Sequence, residues 1–204
     1  MSNSLFSQEE IILKTENSLV TYQGQFLGEQ EIASYFDYFL ENIDWARDKL
    51  VIYGKMIFTK REIAWFADDG ADYNYSGVSR IGKEWDEQAL ILKNRLELAT
   101  GHKYNSCLMN LYHTGLEGMG WHSDDQNHLE PESAVAIISF GAERYLKFRE
   151  TNNNSNQKKV VLEQGSLLLM LKQTQKYWQH EIPIMAGVKD IRISLTFRLM
   201  KRKP

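Results

Sequence analysis

The part of the chain that follows residue 104 alternates short apolar segments with glycines, and this pattern limits the fold more than any other feature. Segments of this length, rich in Val, Ile, Leu, Phe and Tyr, are typical of β-strands. The candidate strands are 106–113, 134–140, 144–149, 159–162, 166–171, 177–182 and 191–200. Many short strands separated by turn signals indicate a sandwich, a barrel or a jelly roll.

Two amphipathic segments precede these strands. Apolar residues recur at helical spacing from Ile32 to Ile43 and from Trp85 to Ala99, and Gly101 stands where a helix C-cap is expected. Helices followed by strands predict an α+β fold, with the helices packed on the outside of a β core. The polar tract 151–157, which holds four asparagines, predicts a loop between two strands.

The cysteine count and the distribution of apolar residues indicate the cellular compartment in which we expect the protein. Cys107 is the only cysteine among 204 residues, so no intramolecular disulfide can form, which favours a reducing compartment. The first residues lack the regions of a signal peptide, and no apolar run approaches the roughly 20 residues of a membrane span. We therefore expect a soluble, cytoplasmic protein that does not contact a membrane. The net charge of −3 does not decide for or against a nucleic-acid partner.

A metal-binding pattern stands out among the histidines. In His122-Ser123-Asp124 the two potential ligands point the same way on an extended chain, and His180 follows on a distant strand. Two histidines and one carboxylate can occupy one face of a metal and leave the opposite positions open, as in non-haem Fe(II) oxygenases. Because an H-x-D tripeptide also arises by chance, this pattern needs support from elsewhere in the chain.

The segment 191–198 gives that support through strand alternation. Its apolar face belongs in a core, and its other face carries Arg192, Ser194, Thr196 and Arg198. Two guanidiniums are costly to bury without an anion, whereas a dicarboxylate takes one charge-assisted contact from each. Asn110 and Tyr112 share a face of another strand and can donate hydrogen bonds to the same anion. A solvated or salt-bridged strand face is the alternative interpretation.

Taken in order, these motifs resemble those of the AlkB family of Fe(II)- and 2-oxoglutarate-dependent dioxygenases, over roughly residues 50–200. The resemblance implies a double-stranded β-helix, or jelly roll, braced by N-terminal helices. The single domain 1–204 would then comprise an N-terminal extension and helix (1–48), a nucleotide-recognition lid with its supporting helix (49–103) and the jelly-roll catalytic core (104–200).

The resemblance also assigns roles to the motif residues. His122, Asp124 and His180 would hold Fe(II) and form the catalytic centre, with 2-oxoglutarate as cosubstrate and O2 as oxidant. Arg192 would pair with the distal carboxylate of the cosubstrate, and Arg198 would lie near its other carboxylate. The residues expected to assist are Asn110, Tyr112, Ser194 and Thr196.

Within the family, the local sequence looks most like the DNA-repair homologues that act on duplex DNA. The predicted substrate contacts are Tyr53, Gly54 and Lys55 in a hairpin that wedges into the helix, Arg61 on the DNA backbone, Tyr73, Asn74 and Tyr75 in a lid that stacks on the flipped base, and Asp125 and Gln126 beside that base. These relatives usually carry Glu where this chain has Gln126, and the loss of a carboxylate there weakens the expected preference for cationic methylated bases.

The function implied is oxidative demethylation of bases such as 1-methyladenine and 3-methylcytosine in DNA, with release of succinate, CO2 and formaldehyde. The expected partner is alkylated DNA, with duplex favoured and RNA left open, and the expected state is a monomer. One alternative is a 2-oxoglutarate oxygenase that acts on RNA, protein or a small molecule, which only the lid and hairpin segments distinguish. Another is a non-catalytic binding module, which predicts no iron-dependent turnover of 2-oxoglutarate.

Overall fold

The computed structural model describes residues 9–52, 55–68, 73–75, 78–80, 82–124 and 126–201, with the backbone alone for 50–52, 73–75 and 78–80. The strands are β1 (Glu10–Lys14), β2 (Ser18–Gln23), β3 (Ala46–Ile52), β4 (Lys55–Ala67), β5 (Tyr73–Tyr75), β6 (Val78–Arg80), β7 (Ser106–Tyr112), β8 (Met119–His122), β9 (Val135–Gly141), β10 (Arg144–Glu150), β11 (Asn153–Leu162), β12 (Leu167–Lys172), β13 (Trp178–Ile182) and β14 (Arg192–Arg198). The helices are α1 (Glu29–Asn42), α2 (Glu87–Thr100) and the one-turn α3 (Thr174–Tyr177). None of these helices is long and apolar enough to cross a membrane.

Two facing sheets form the body of the molecule. The larger sheet has eight strands in the order β1-β2-β12-β9-β14-β7-β4-β3, and the smaller has four in the order β11-β10-β13-β8. Neighbouring strands in both sheets are antiparallel, and β5 pairs with β6 apart from them. The prediction of a jelly-roll core braced by helices is confirmed.

The alternation of β14 decides what each face of the larger sheet contacts. Ile193, Leu195 and Phe197 are fully buried in a core on the side of α1 and α2, where Phe39 and Leu96 also lie. A second core combines apolar residues of the larger sheet with those of β10 and β13 in the smaller one. The polar face of β14 is therefore enclosed between the two sheets, where each charged group needs a partner.

Both predicted helices form, and capping interactions explain their limits. The Glu31 carboxylate accepts a hydrogen bond from the N–H of Gly28 at 3.0 Å, one residue before α1. The Asp86 carboxylate accepts from the backbone of Gln88 and Ala89 and so begins α2. Gly101 ends α2 in the left-handed conformation with φ +73°, as its position predicted.

The loop predicted for 151–157 is wrong. Only Thr151 and Asn152 turn, and the asparagines from Asn153 onward belong to β11, which pairs along β10. β11 is an edge strand of the smaller sheet, and its residues up to 159 are exposed, so a polar sequence can form it without an apolar alternation to reveal it.

The larger sheet also extends past the expected limit of the core at residue 104. The strands β1, β2, β3 and β4 all precede that residue, and β2 pairs with β12 along its length. Helices therefore do not simply precede strands along this chain. The segment 10–23, which belongs to the predicted N-terminal extension and in which no strand was predicted, forms an antiparallel hairpin at one edge of the sheet.

Candidate active site between the two sheets

Strand pairing brings the three predicted metal ligands together. β8 and β13 place His122 directly opposite His180, with ring centroids 4.2 Å apart. Asp124 follows β8 by two residues and is buried beside them. One ligand atom from each of these residues lies within 4.8 Å of the other two. The geometry is that of a small cation site with three protein ligands.

The two histidines are held in the form that binds a metal. Nδ1 of His122 lies 2.8 Å from the carbonyl oxygen of Gly120. Because a carbonyl only accepts, Nδ1 carries the proton and Nε2 keeps its lone pair. Burial lowers the pKa of both rings, and with the neighbouring His122 it lowers that of His180 to about 3. Both imidazoles are therefore neutral near pH 7.

The Asp124 carboxylate supplies the negative charge of the site. Oδ1 accepts a hydrogen bond from Nη2 of Arg198 at 2.7 Å, and the backbone N–H donates to Oε1 of Gln175 at 2.9 Å. Oδ2 is buried, and no described residue hydrogen-bonds to it. Burial alone would raise the pKa of this carboxyl, but Arg198 and the two histidines hold it at about 2. An ionised oxygen without a partner beside two neutral imidazoles fits a divalent iron ion.

The expected cosubstrate residues line the polar face of β14 and its neighbour β7. Arg192 lies opposite Tyr112, and Ser194 lies opposite Asn110, with all four side chains buried. Arg198 stands at the Asp124 end of this face and Arg192 at the opposite end, and the roles predicted for the two arginines toward the cosubstrate stay predictions. Thr196 lies between them and is buried as well.

Arg192 is a buried cation that needs an anion. Its Nη2 donates to Oγ of Ser139 at 3.1 Å, and its Cζ lies 5.3 Å from the ring centroid of Tyr112. Nε and Nη1 are buried without a hydrogen-bond partner among the described residues. Burial lowers the pKa of this guanidinium to about 10. Two unpaired guanidinium nitrogens in a buried position fit one carboxylate of a small dianion such as 2-oxoglutarate.

Arg61 does not take the place predicted for it. Its side chain is buried rather than exposed to a DNA backbone. Nε donates to Oδ1 of Asn110 at 3.1 Å, and Nη2 lies 3.6 Å from Oδ2 of Asp48. The side chain points inward because β4 joins the larger sheet beside β7, next to the cosubstrate residues. Arg61 therefore orients Asn110, whose amide N–H groups stay directed away from it.

The structure describes only some of the other predicted substrate contacts. Lys55 is exposed at the start of β4, and Gln126 is exposed with its Nε2 donating to the backbone oxygen of Gln175 at 2.9 Å. The backbone of Tyr73, Asn74 and Tyr75 forms β5, which pairs with β6. Tyr53, Gly54 and Asp125 lie outside the described residues.

Two residues that contact the site were not predicted. Ser139 interrupts an otherwise apolar strand, and a lone polar residue in such a strand is a signal that sequence reading can use. Gln175 carries no such signal, because it lies in a one-turn helix without periodicity.

Comparison with known proteins agrees with this arrangement. Residues 19–198 match the model of the 2OG-Fe(II) oxygenase superfamily. A relative from Arabidopsis thaliana, "DNA oxidative demethylase ALKBH2", is 29% identical over 98% of this chain and 71% of its own length. A Bos taurus relative, "Alpha-ketoglutarate-dependent dioxygenase alkB homolog 3", is 32% identical over 88% of this chain. The chain spans only 65% of the length of that bovine relative.

The structure of OsALKBH1 superimposes with a TM-score of 0.62 and covers 93% of this chain and 100% of its own. At 14% sequence identity, this likeness concerns the fold alone.

Proposed function

The chain belongs to the AlkB family of Fe(II)- and 2-oxoglutarate-dependent oxygenases, and from this we propose that it demethylates N-alkylated bases in DNA by oxidation. The substrates proposed are 1-methyladenine and 3-methylcytosine. Two relatives support this proposal through their names, one a DNA oxidative demethylase and the other an alkB homologue.

The observation that supports this chemistry is that two groups of atoms between the sheets lack a hydrogen-bond partner among the described residues. Oδ2 of Asp124 lies beside the two neutral histidines, and Arg192 presents the unpaired nitrogens Nε and Nη1 at the far end of the polar face of β14. One group of residues would thus bind a divalent metal and the other a carboxylate, and the two histidines lie on the smaller sheet while Arg192 lies on the larger sheet that faces it. Few ligands other than a metal-chelating dicarboxylate satisfy both.

Each residue of the site has a definite task in this reaction. Bound Fe(II), 2-oxoglutarate and O2 supply the oxidation of the N-methyl carbon, and the products are succinate, CO2 and formaldehyde. Arg198 keeps Asp124 ionised, and Gly120 keeps the lone pair of His122 available. Arg192 orients the distal end of the cosubstrate, and the apolar residues between the sheets exclude water.

Access to the base is the remaining physical problem, because a methyl group on a Watson–Crick nitrogen lies inside the duplex. The enzyme must flip the nucleotide, and the lesion lowers the cost because its base pair is already lost. We propose that the β3–β4 hairpin fills the gap. Near the beginning of β4, three consecutive apolar side chains are exposed to solvent: Met56 (63%), Ile57 (44%) and Phe58 (54%).

Because successive side chains of a strand point to opposite faces, the exposure of three in a row means that neither face of β4 is covered by the two sheets here. Lys49 lies 5.8 Å from the Phe58 ring centroid, and Lys55 and Lys60 are also exposed on this hairpin. Apolar side chains that insert between bases, flanked by cations that contact phosphates, suit a duplex better than a flexible single strand. We also propose a monomeric enzyme, because one chain supplies the triad and both arginines.

The test is demethylation of oligonucleotides that carry 1-methyladenine or 3-methylcytosine, in duplex and single-stranded form. Loss of one CH2 by mass spectrometry, dependent on Fe(II), on 2-oxoglutarate and on His122 (control His122→Ala), is the expected result. Met56→Ser combined with Phe58→Ser should reduce the rate on duplex about tenfold while leaving the rate on single strands nearly unchanged, since base stacking is worth about 1–3 kcal/mol. Turnover of 2-oxoglutarate without any DNA demethylation would refute the substrate. An equal loss on both DNA forms would refute the role of the hairpin.

A further inference from the structure

The side chain of Gln175 forms a hydrogen bond with the backbone of Asp124, one of the three predicted metal ligands. Gln175 lies five residues before His180 and is buried. Its Oε1 accepts the hydrogen bond from the Asp124 N–H at 2.9 Å, and its Nε2 lies 3.2 Å from Sδ of Met170. Because a backbone N–H can only donate, the oxygen of the amide must face Asp124.

Two further hydrogen bonds join the same two segments. Oγ of Ser123 donates to the backbone oxygen of Trp178 at 3.0 Å, and Nε2 of Gln126 donates to the backbone oxygen of Gln175 at 2.9 Å. Three hydrogen bonds that involve side chains therefore join the segment before His180 to the segment that contains Asp124. Only the bond from Gln175 reaches the ligand residue itself.

The Asp124 residue is consequently fixed from two directions. Gln175 holds its peptide, and Arg198 holds Oδ1 of its carboxylate at 2.7 Å. With both ends fixed, rotation of the side chain is restricted and Oδ2 stays directed toward the histidines. Groups outside the ligand set often act in this way, and their loss weakens metal binding by roughly 10–100-fold.

We propose that Gln175 is a positioning residue for the metal ligand Asp124, and that its amide oxygen sets the affinity of the site for a divalent metal. This inference rests on the metal centre of the proposed function but not on the identity of the methylated substrate. The alternative is that Gln175 contributes only to the stability of the fold.

The chain offers a matched control two residues away. Gln173 also reaches across to the segment that follows the H-x-D motif, and its Nε2 donates to Oε1 of Glu132 at 3.1 Å. This bond joins two loops without touching a ligand residue. Gln173→Met and Gln175→Met remove the same chemical group from neighbouring positions, so a difference between them reports the bond to Asp124.

The experiment is titration of the full-length, metal-free protein with Co(II), followed by its visible absorption well below the melting temperature. We expect Gln175→Met to raise the Kd for Co(II) roughly tenfold or more, and Gln173→Met to change it by no more than about twofold. The KM for 2-oxoglutarate at saturating metal should be nearly the same in all three proteins. Gln175→Asn withdraws the amide by one methylene and should give an intermediate Kd, which keeps the test available if the methionine variant does not fold.

The outcomes separate this inference from the proposed function. A Co(II) Kd for Gln175→Met within about twofold of wild type, with a lowered melting temperature, overturns the positioning role. Equal losses in Gln173→Met and Gln175→Met overturn it as well. Wild-type protein that binds Co(II) and never demethylates DNA refutes the proposed substrate, while the comparison of the two glutamines still decides the role of Gln175.

Discussion

Replacing Arg192 by methionine should stabilise the protein without cosubstrate and weaken its binding of 2-oxoglutarate. Arg192 is 1% exposed, and two of its three guanidinium nitrogens have no hydrogen-bond partner among the described residues. A buried charge in that state costs free energy until an anion binds. Methionine has a similar shape and carries no charge, so it removes both the cost and the binding energy.

The structure sets the size of the first effect. A pKa of about 10 instead of 12.5 means that burial disfavours the charged Arg192 by roughly 3–4 kcal/mol, at about 1.4 kcal/mol per pH unit. Methionine also loses the hydrogen bond to Ser139 and the cation–π contact with Tyr112, worth about 1 kcal/mol each. The remaining gain of about 1–2 kcal/mol corresponds to a rise of about 2–8 °C in Tm for a chain of this size.

The second effect has the opposite sign. Removal of one partner from a buried charge pair costs about 2 kcal/mol or more, which raises the Kd for 2-oxoglutarate about 30-fold or more. At 100 times the wild-type Kd, the cosubstrate should stabilise wild type by about 2.7 kcal/mol and the variant by less than about 1 kcal/mol. The corresponding increases in Tm are about 5–11 °C for wild type and at most about 4 °C for the variant.

Thermal unfolding with and without 2-oxoglutarate measures both effects, under nitrogen and with Mn(II) so that the cosubstrate is not consumed. Arg95→Met is the control, because Arg95 on α2 pairs with Glu31 on α1, away from the polar face of β14, and should leave the 2-oxoglutarate-dependent shift intact. A variant that unfolds well below wild type without cosubstrate would refute the reasoning about burial. An unchanged shift with 2-oxoglutarate would show that Arg192 does not bind its carboxylate.

Three further substitutions test the fold and the site. Phe39→Ala should cost about 3–5 kcal/mol in urea unfolding, because Phe39 is fully buried and its ring packs 5.8 Å from that of Phe140. Gly141→Ala should lower Tm by several degrees, because residue 141 has φ +75° and its new Cβ would lie 2.4 Å from the backbone oxygen of Ile191. Gly187→Ala is the control and should leave Tm unchanged, because a Cβ at residue 187 would have no atom within 4 Å. Arg61→Met should raise the KM for 2-oxoglutarate about fivefold through Asn110 and leave the affinity for DNA unchanged in a binding assay, the opposite of what a phosphate contact requires.

The active site was predictable from sequence where it depends on strand alternation. The polar face of 192–198 was visible as every second residue, and the structure places Arg192 and Arg198 on that face. H-x-D followed by a distant histidine was visible as well: His122 ends β8, Asp124 lies two residues beyond it, and His180 on β13 pairs opposite His122. Periodicity carries information when one face of a strand differs from the other.

The misread elements lack that contrast or depend on contacts distant in sequence. β11 is exposed on both faces along most of its length, so its asparagines signalled a loop. Arg61 is surrounded by other polar residues, and only the pairing of β4 with β7 shows that it turns inward to Asn110. No local pattern around residue 61 distinguishes a buried guanidinium from an exposed one.

The position of the two arginines depends on a core that lies away from the metal site. β14 carries Ile193, Leu195 and Phe197 on the face that packs against α1 and α2, and these three residues are fully buried. A slip of one residue in its register would move Arg192 and Arg198 to that apolar face and the three apolar residues into the polar site. Such a slip buries both guanidiniums among apolar residues without partners, so it costs several kcal/mol per arginine. The helix-side core thus fixes the register of β14, and through it the separation between the Asp124–Arg198 end and the Arg192 end of the site.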